Sequence, residues 1–308
     1  MIQNHSKKAY FAAVGNACIV GLSFLFVKTA LAEADPIDTL SHRFTVSLAA
    51  LLVAVWIGWM KVKVKAKDVL SILPLAVFYP ALFFAFQAFG MVNATSSEAG
   101  IIQATVPIFT MALAVYFLKE QSSAWQKASI FLSVAGVVYL FIGNGFHLET
   151  ANIKGTVLIL LSVLSLAGYS VWARKLARTF KAADLTMVII VIGFLVFNSL
   201  SVIRHLTNGT LSSFYIPFQK PLFTLSILYL GILSTLVTAW LSNFAFSKIE
   251  ATKLSVFNHL ATLVALAGGV AFLGEKLAYS HLIGAGLIIL GVTGANFLKT
   301  SKENARDH

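Results

Sequence analysis

Asn258 and His259 stand side by side inside an apolar run at 252–273. Polar groups are costly in such a run, and they tend to face a cavity or a partner. Shifting the numbering back by 155 lays Asn258 on Gln103, inside a second apolar run at 98–118. Two amides at equivalent places suit a polar substrate. The plainer alternative is a pair of interhelical hydrogen bonds, worth about 0.6–2 kcal/mol each. His259 adds a titratable ring, whose unperturbed pKa of about 6.5 suits proton coupling. Its plainer alternative is a neutral ring hydrogen-bonded to a neighbour.

Other runs carry similar groups. At the same offset Gln87 falls on Ser242, and Trp240 and Asn243 share a helix with Ser242. Asn16 and Ser23 are seven residues apart, so they share one helix face. Tyr79 and Phe83 are spaced by four, and Tyr169 and Trp172 by three. Aromatics with polar tips can box an apolar amino acid or an organic cation. Taken singly, each also suits packing or an interfacial belt. Pro107 sits in mid-run, where it frees a backbone carbonyl and marks a helix kink.

Reaction chemistry has no motif here. The chain contains no Gly-x-Ser-x-Gly elbow, no His-Glu-x-x-His, no phosphate-cradling Gly loop and no Cys/His metal spacing. Paired acids inside the spans, which an intramembrane protease would use, are absent as well. No catalytic residue, metal or cofactor is expected.

The elements that carry these residues follow from composition. Of 308 residues 58% are hydrophobic and 11% charged, with mean hydropathy +0.84. A soluble fold could not hide so much apolar surface, so the bilayer is the expected solvent. The net charge of +11 comes from Lys and Arg lying between apolar runs, which argues for cytoplasmic loops and against nucleic acid. A lone Cys18 excludes a disulfide framework.

Ten spans are expected: 9–30, 39–60, 69–92, 98–118, 125–142, 155–174, 184–206, 221–246, 252–273 and 279–298. The first reads as an uncleaved span and not as a signal peptide. Most of the 23 Lys and Arg, among them Lys61, Lys63, Lys65, Lys67, Arg174, Lys175, Arg178 and Lys181, then lie on one side. That bias puts both termini in the cytoplasm. Lys28 and Arg43 fall near the outer ends of their spans, placed to snorkel, and Arg43 either pairs with Asp38 or Glu33 or holds helix ends together. Small residues Ala9, Ala13, Ala17 and Gly21 make a packing stripe within the molecule.

The offset of 155 holds beyond the amides. Glu275 falls on Glu120, Leu273 on Leu118, Phe272 on Phe117, Gly291 on Gly136 and Phe244 on Phe89. Two copies of one five-span unit follow. An odd number of spans makes the second copy enter from the opposite side, so the fold class is all-α integral membrane with inverted repeats.

These features resemble the drug/metabolite transporter superfamily, in its EamA-type branch. The resemblance rests on Ala99-Gly100-Ile101-Ile102 through Pro107 and on Phe117-Leu118-Lys119-Glu120. In the second copy it rests on Phe272-Leu273-Gly274-Glu275-Lys276, Gly284-Ala285-Gly286 and Leu290-Gly291, and at the second span on His42-Arg43-Phe44. It implies two family units, 11–142 and 155–298. It also implies a secondary transporter of the plasma membrane that exports small metabolites such as amino acids. A midplane cavity would be lined by the first, third, fourth, sixth, eighth and ninth spans. Glu120 and Glu275 resemble the family's loop acids and read as structural, capping or pairing at helix ends. Expected partners are a small-molecule substrate, the lipid bilayer and protons, with the chain a monomer or homodimer. The alternative on this scaffold is a passive channel or a lipid-handling protein, for which no charged ring or filter segment is visible.

Overall fold

A computed structural model describes residues 2–118, 128, 131–132, 135–136, 139, 150–249, 254, 257–276 and 278–297. Every regular element among the described residues is helical. They are α1 (Ile2–Leu31), α2 (Pro36–Trp56), α3 (Ala66–Ala76), α4 (Phe83–Asn93), α5 (Ser96–Gln103) and α6 (Val106–Leu118). The second half gives α7 (Thr150–Leu176), α8 (Ala182–Asn208), α9 (Pro221–Leu228), α10 (Thr238–Lys248), α11 (Asn258–Leu273) and α12 (Tyr279–Phe297). Among the described residues seven stretches are long and apolar enough to cross a membrane, and Asn258–Leu273 is a shorter apolar helix. The chain is thus a multi-pass membrane protein. The span expected at 125–142, and Glu120 before it, lie almost wholly outside the described residues.

Local chemistry sets the helix ends. Asp35 caps α2, its Oδ1 accepting from Ile37 N and Asp38 N, with Pro36 in the first turn. Thr95 and Glu98 close a capping box on α5: Thr95 Oγ1 accepts from Glu98 N at 3.0 Å and Glu98 Oε2 from Thr95 N at 2.9 Å. Gly274, with φ of 64°, ends α11 in the left-handed region that favours glycine.

Three of the long stretches are interrupted. Between α3 and α4 the chain widens into a π-helical segment, Val77–Leu82, where Tyr79 leaves helical geometry (φ −146°, ψ 111°). Between α9 and α10 a second such segment runs over Tyr229–Val237. Subtracting 155 from that second range makes the two overlap. The stretch expected at 98–118 breaks at Ala104-Thr105, and Pro107 is the second residue of α6. Such interruptions free backbone groups and are common at functional sites.

Elements of the two halves pack against each other: α1 on α11 and α10, α2 on α8, α4 on α7, and α5 on α11. Ala9, Ala13 and Ala17 are buried, and a Cβ on Gly21 would stand 2.5 Å from Ala261 O, so this stripe serves intramolecular packing. Gly90 crosses α7 as closely, since a Cβ there would lie 2.9 Å from Gly155 O. The core holds Phe44, Phe84, Tyr79, Tyr169 and Phe197 in one cluster, and Phe24, Met91, Ile159 and Phe223 in another. Phe11, Trp56 and Leu70 instead point outward, as lipid-facing residues do.

Candidate functional site

Where the halves meet lies a cavity of about 80 Å³, partly open to the outside. Asn16, Val20 and Ser23 of α1 line it. So do Tyr79 of the first π-helical segment, Phe83, Phe84 and Gln87 of α4, and Gln103 at the end of α5. From the second half come Leu166, Tyr169 and Ser170 of α7, Ser234, Thr238 and Ser242, and Asn258 of α11. Each residue arrives by a feature already described: a shared α1 face for Asn16 and Ser23, the break after α5 for Gln103, the wide turns for Tyr79 and Ser234.

The polar groups differ in how they are held. Ser23 Oγ donates to Val20 O at 2.6 Å within its own turn. Ser242 Oγ donates to Asn16 Oδ1 at 3.1 Å, tying α10 to α1. Tyr79 stacks on Tyr169, with centroids 4.6 Å apart, and on Phe83 at 5.2 Å. Gln103 is 1% exposed, and neither its Oε1 nor its Nε2 has a hydrogen-bond partner among the described residues. Orphaned buried amides of this kind are rare and costly. Thr262 Oγ1 donates to Gly100 O at 2.8 Å and clamps α11 to α5 beside the two amides.

Four expected residues stand away from the lining. Asn243 is fully buried: its Oδ1 accepts from Tyr169 Oη at 2.9 Å and its Nδ2 donates to Thr186 Oγ1 at 3.1 Å. It positions Tyr169 without lining the cavity. Trp240 packs on Phe244 and Trp59. Trp172 lies at the edge of the aromatic core, under the Lys175 ammonium. His259 is buried next to Asn258 but outside the lining, and neither ring nitrogen has a hydrogen-bond partner among the described residues. The neighbour foreseen for a neutral, bonded ring is therefore missing there.

Arg43 corrects the sequence reading. It does not snorkel and it meets neither Asp38 nor Glu33. It is 2% exposed and lines the cavity, two turns into α2. Five residues along a helix turn the side chain about 140° away from Asp38. Asp38 is held instead by Ser201 Oγ at 2.6 Å, by His205 Nε2 at 3.0 Å and by Arg204 at 3.5 Å. Arg43 Nε donates to Thr235 Oγ1 at 2.7 Å, and Nη2 donates to Ser234 Oγ at 2.9 Å and Ser234 O at 3.1 Å. The guanidinium carbon lies 4.2 Å from the Phe84 ring centre. A basic residue inside an apolar run was the available signal. The hydroxyl pair that holds it, nearly two hundred residues later, was not paired with it in the sequence.

This fold and this cavity define a multi-pass membrane protein with a cavity between its two halves, and the relatives it matches are named transporters. The EamA-like transporter family matches residues 7–142 and 153–297, and the chain belongs to it. It is 51% identical over 96% of its length to an uncharacterized transporter of Bacillus subtilis, YcxC, 95% of which is covered. An uncharacterized transporter of Archaeoglobus fulgidus is 27% identical over 88% of this chain and 92% of its own. A protein of Salmonella typhimurium named a probable amino-acid metabolite efflux pump is 26% identical over 93% of this chain and 94% of its own. A solved crystal structure superposes with a TM-score of 0.64 at 18% identity, over 95% of this chain and 97% of that one, a likeness of fold.

Proposed function

We propose that the chain is a secondary transporter that exports small metabolites such as amino acids across the plasma membrane. In this reading ten spans form two inverted five-helix repeats, 11–142 and 155–298, with both termini cytoplasmic. The halves rock about the cavity, which opens to one side at a time. The observation that carries the reading is the cavity itself, which brings amides, hydroxyls and one guanidinium together with aromatic rings inside a lipid-facing bundle and is lined from both halves of the chain. The name of the Salmonella typhimurium relative supports amino-acid metabolites as the solute class.

Asn16, Ser23, Tyr79, Phe83, Gln87, Gln103, Tyr169 and Asn258 face the solute, and Asn243 fixes the Tyr169 hydroxyl. Trp172 and Trp240 support that wall from behind. The break before Pro107 is a hinge, and His259 is the group through which a proton gradient couples. Cysteine labelling tests the central cavity. In a Cys18→Ser background, Ser242→Cys should react with impermeant thiol reagents added to either face of oriented vesicles. Reaction from one face alone would overturn alternating access through this cavity.

A further inference from the structure

Arg43 is a cation buried in a bundle whose outside is lipid, and it is the one charged side chain among the described lining residues. Its described partners are hydroxyls, a carbonyl and a ring face, none of which carries a negative charge. A charge placed this way is expensive unless an anion joins it for part of the working cycle. The bonds it does make serve orientation. Thr235 and Ser234 engage Nε and Nη2 and fix the guanidinium plane against Phe84. Among the described residues Nη1 has no partner, which leaves two N–H donors on a residue of the cavity wall.

A second group points to a ligand independently. Gln103 lines the same cavity, 1% exposed, with both amide atoms unpartnered among the described residues. The described lining carries no acidic side chain and no second basic one. One guanidinium matches one negative charge, and its planar donors suit a carboxylate. A phosphate monoester carries nearer two charges at neutral pH. An organic cation would meet an uncompensated like charge.

We infer that Arg43 is the anion-binding residue of the cavity and that the solute carries a single carboxylate. The carboxylate meets Nη1, Gln103 bonds the same or the adjoining polar group, and Tyr79 and Tyr169 pack the remainder. An ammonium group, where present, rests on amide oxygens and ring faces. This assignment rests on the transporter reading for its solute but not for its anion.

Binding and transport are read separately. Thermal unfolding of the purified full-length chain in detergent is followed with four probe pools: amino acids with short keto acids, their carboxamides, their decarboxylated amines, and phosphate esters. The carboxylate pool should stabilise the protein, and each carboxamide should need at least about thirtyfold more ligand for the same shift. The Arg43→Gln variant should lose the response, and Arg43→Lys should recover part of it. Should Arg43→Gln fail to fold, the wild-type comparison of acid with amide decides alone. Equal stabilisation by acid and amide, preference for amines or phosphate esters, or no response to carboxylates overturns the anion site. Counterflow in proteoliposomes then separates the two readings. Carboxylate binding without exchange keeps the anion site and sinks the transporter. Exchange of sugars or amines, unchanged by Arg43→Gln, keeps the transporter and sinks the anion site.

Discussion

Glu275, in the turn after α11, caps α5 across the interface between the halves: Oε1 accepts from Ser96 N at 2.7 Å and Oε2 from Ser97 N at 2.9 Å and from the Ser97 hydroxyl. Its carboxylate thus meets the free N–H groups and the positive end of the helix that presents Gln103. A Cβ on Gly269 would lie 2.3 Å from Glu275 Oε2, so that glycine keeps the carboxylate in place.

Glu275→Gln should therefore destabilise the protein by about 2 kcal/mol, as loss of a charge-assisted cap does. Gly269→Ala should act through the same contact. The double variant should then cost clearly less than the two single costs added, measured by denaturant unfolding in detergent. Additive costs would separate the two residues.

The acid side of the stability profile should depend on Asp35. Burial alone would push its carboxyl up, but hydrogen bonds from Arg204 and from Asp38 N hold it below its usual value. A carboxyl depressed in the folded state adds stability above its unfolded pKa of about 3.9 and loses it as pH falls through the folded value. Wild type should exceed Asp35→Asn in Tm at neutral pH. The gap should begin to narrow as pH falls below about 3.9 and close only below the lower folded value. A gap independent of pH would mean that Asp35 acts through its shape alone.

Tyr169 gives a contrast between lining and support. Tyr169→Phe keeps the stack on Tyr79 and removes the hydroxyl that Asn243 accepts. Loss of one such bond is worth about 1 kcal/mol. Solute KM should rise severalfold with little change in maximal exchange rate. Asn243→Leu also strands Thr186 Oγ1, so it should cost stability as well as affinity. Unchanged KM in both would remove Tyr169 from the solute wall.

His259 has no hydrogen-bond partner among the described residues and does not line the cavity. His259→Gln should leave exchange within about twofold and abolish accumulation driven by a pH gradient, if the ring carries the coupling proton. Accumulation that survives the substitution would move the coupling elsewhere.

Much of this was legible in the sequence because lipid makes polar residues informative. Asn16, Ser23, Gln87, Gln103 and Asn258 stand out against apolar runs, and all five line the cavity. Glu275, paired with Glu120 by the offset, resembles the family's loop acids and reads as capping or pairing at a helix end, although its targets Ser96 and Ser97 belong to the other half. Arg43 was misplaced because linear distance from a span end does not give depth. Its depth depends on α2 starting at Pro36 and on hydroxyls at Ser234 and Thr235. The π-helical segments were hidden for a related reason. One extra residue per turn leaves hydropathy unchanged and alters only which side chains face inward. Asn243 looked like a wall residue because its type shows polarity and not the presence of Tyr169 and Thr186 beside it.

The most direct measurement is counterflow in proteoliposomes preloaded with unlabelled amino acids, reading uptake of the labelled solute. The account predicts saturable uptake that rises above equilibrium when solute is present on the far side and that falls in Gln103→Leu. Uptake that is linear in concentration and indifferent to solute on the far side would contradict it, and would make the cavity part of a pore.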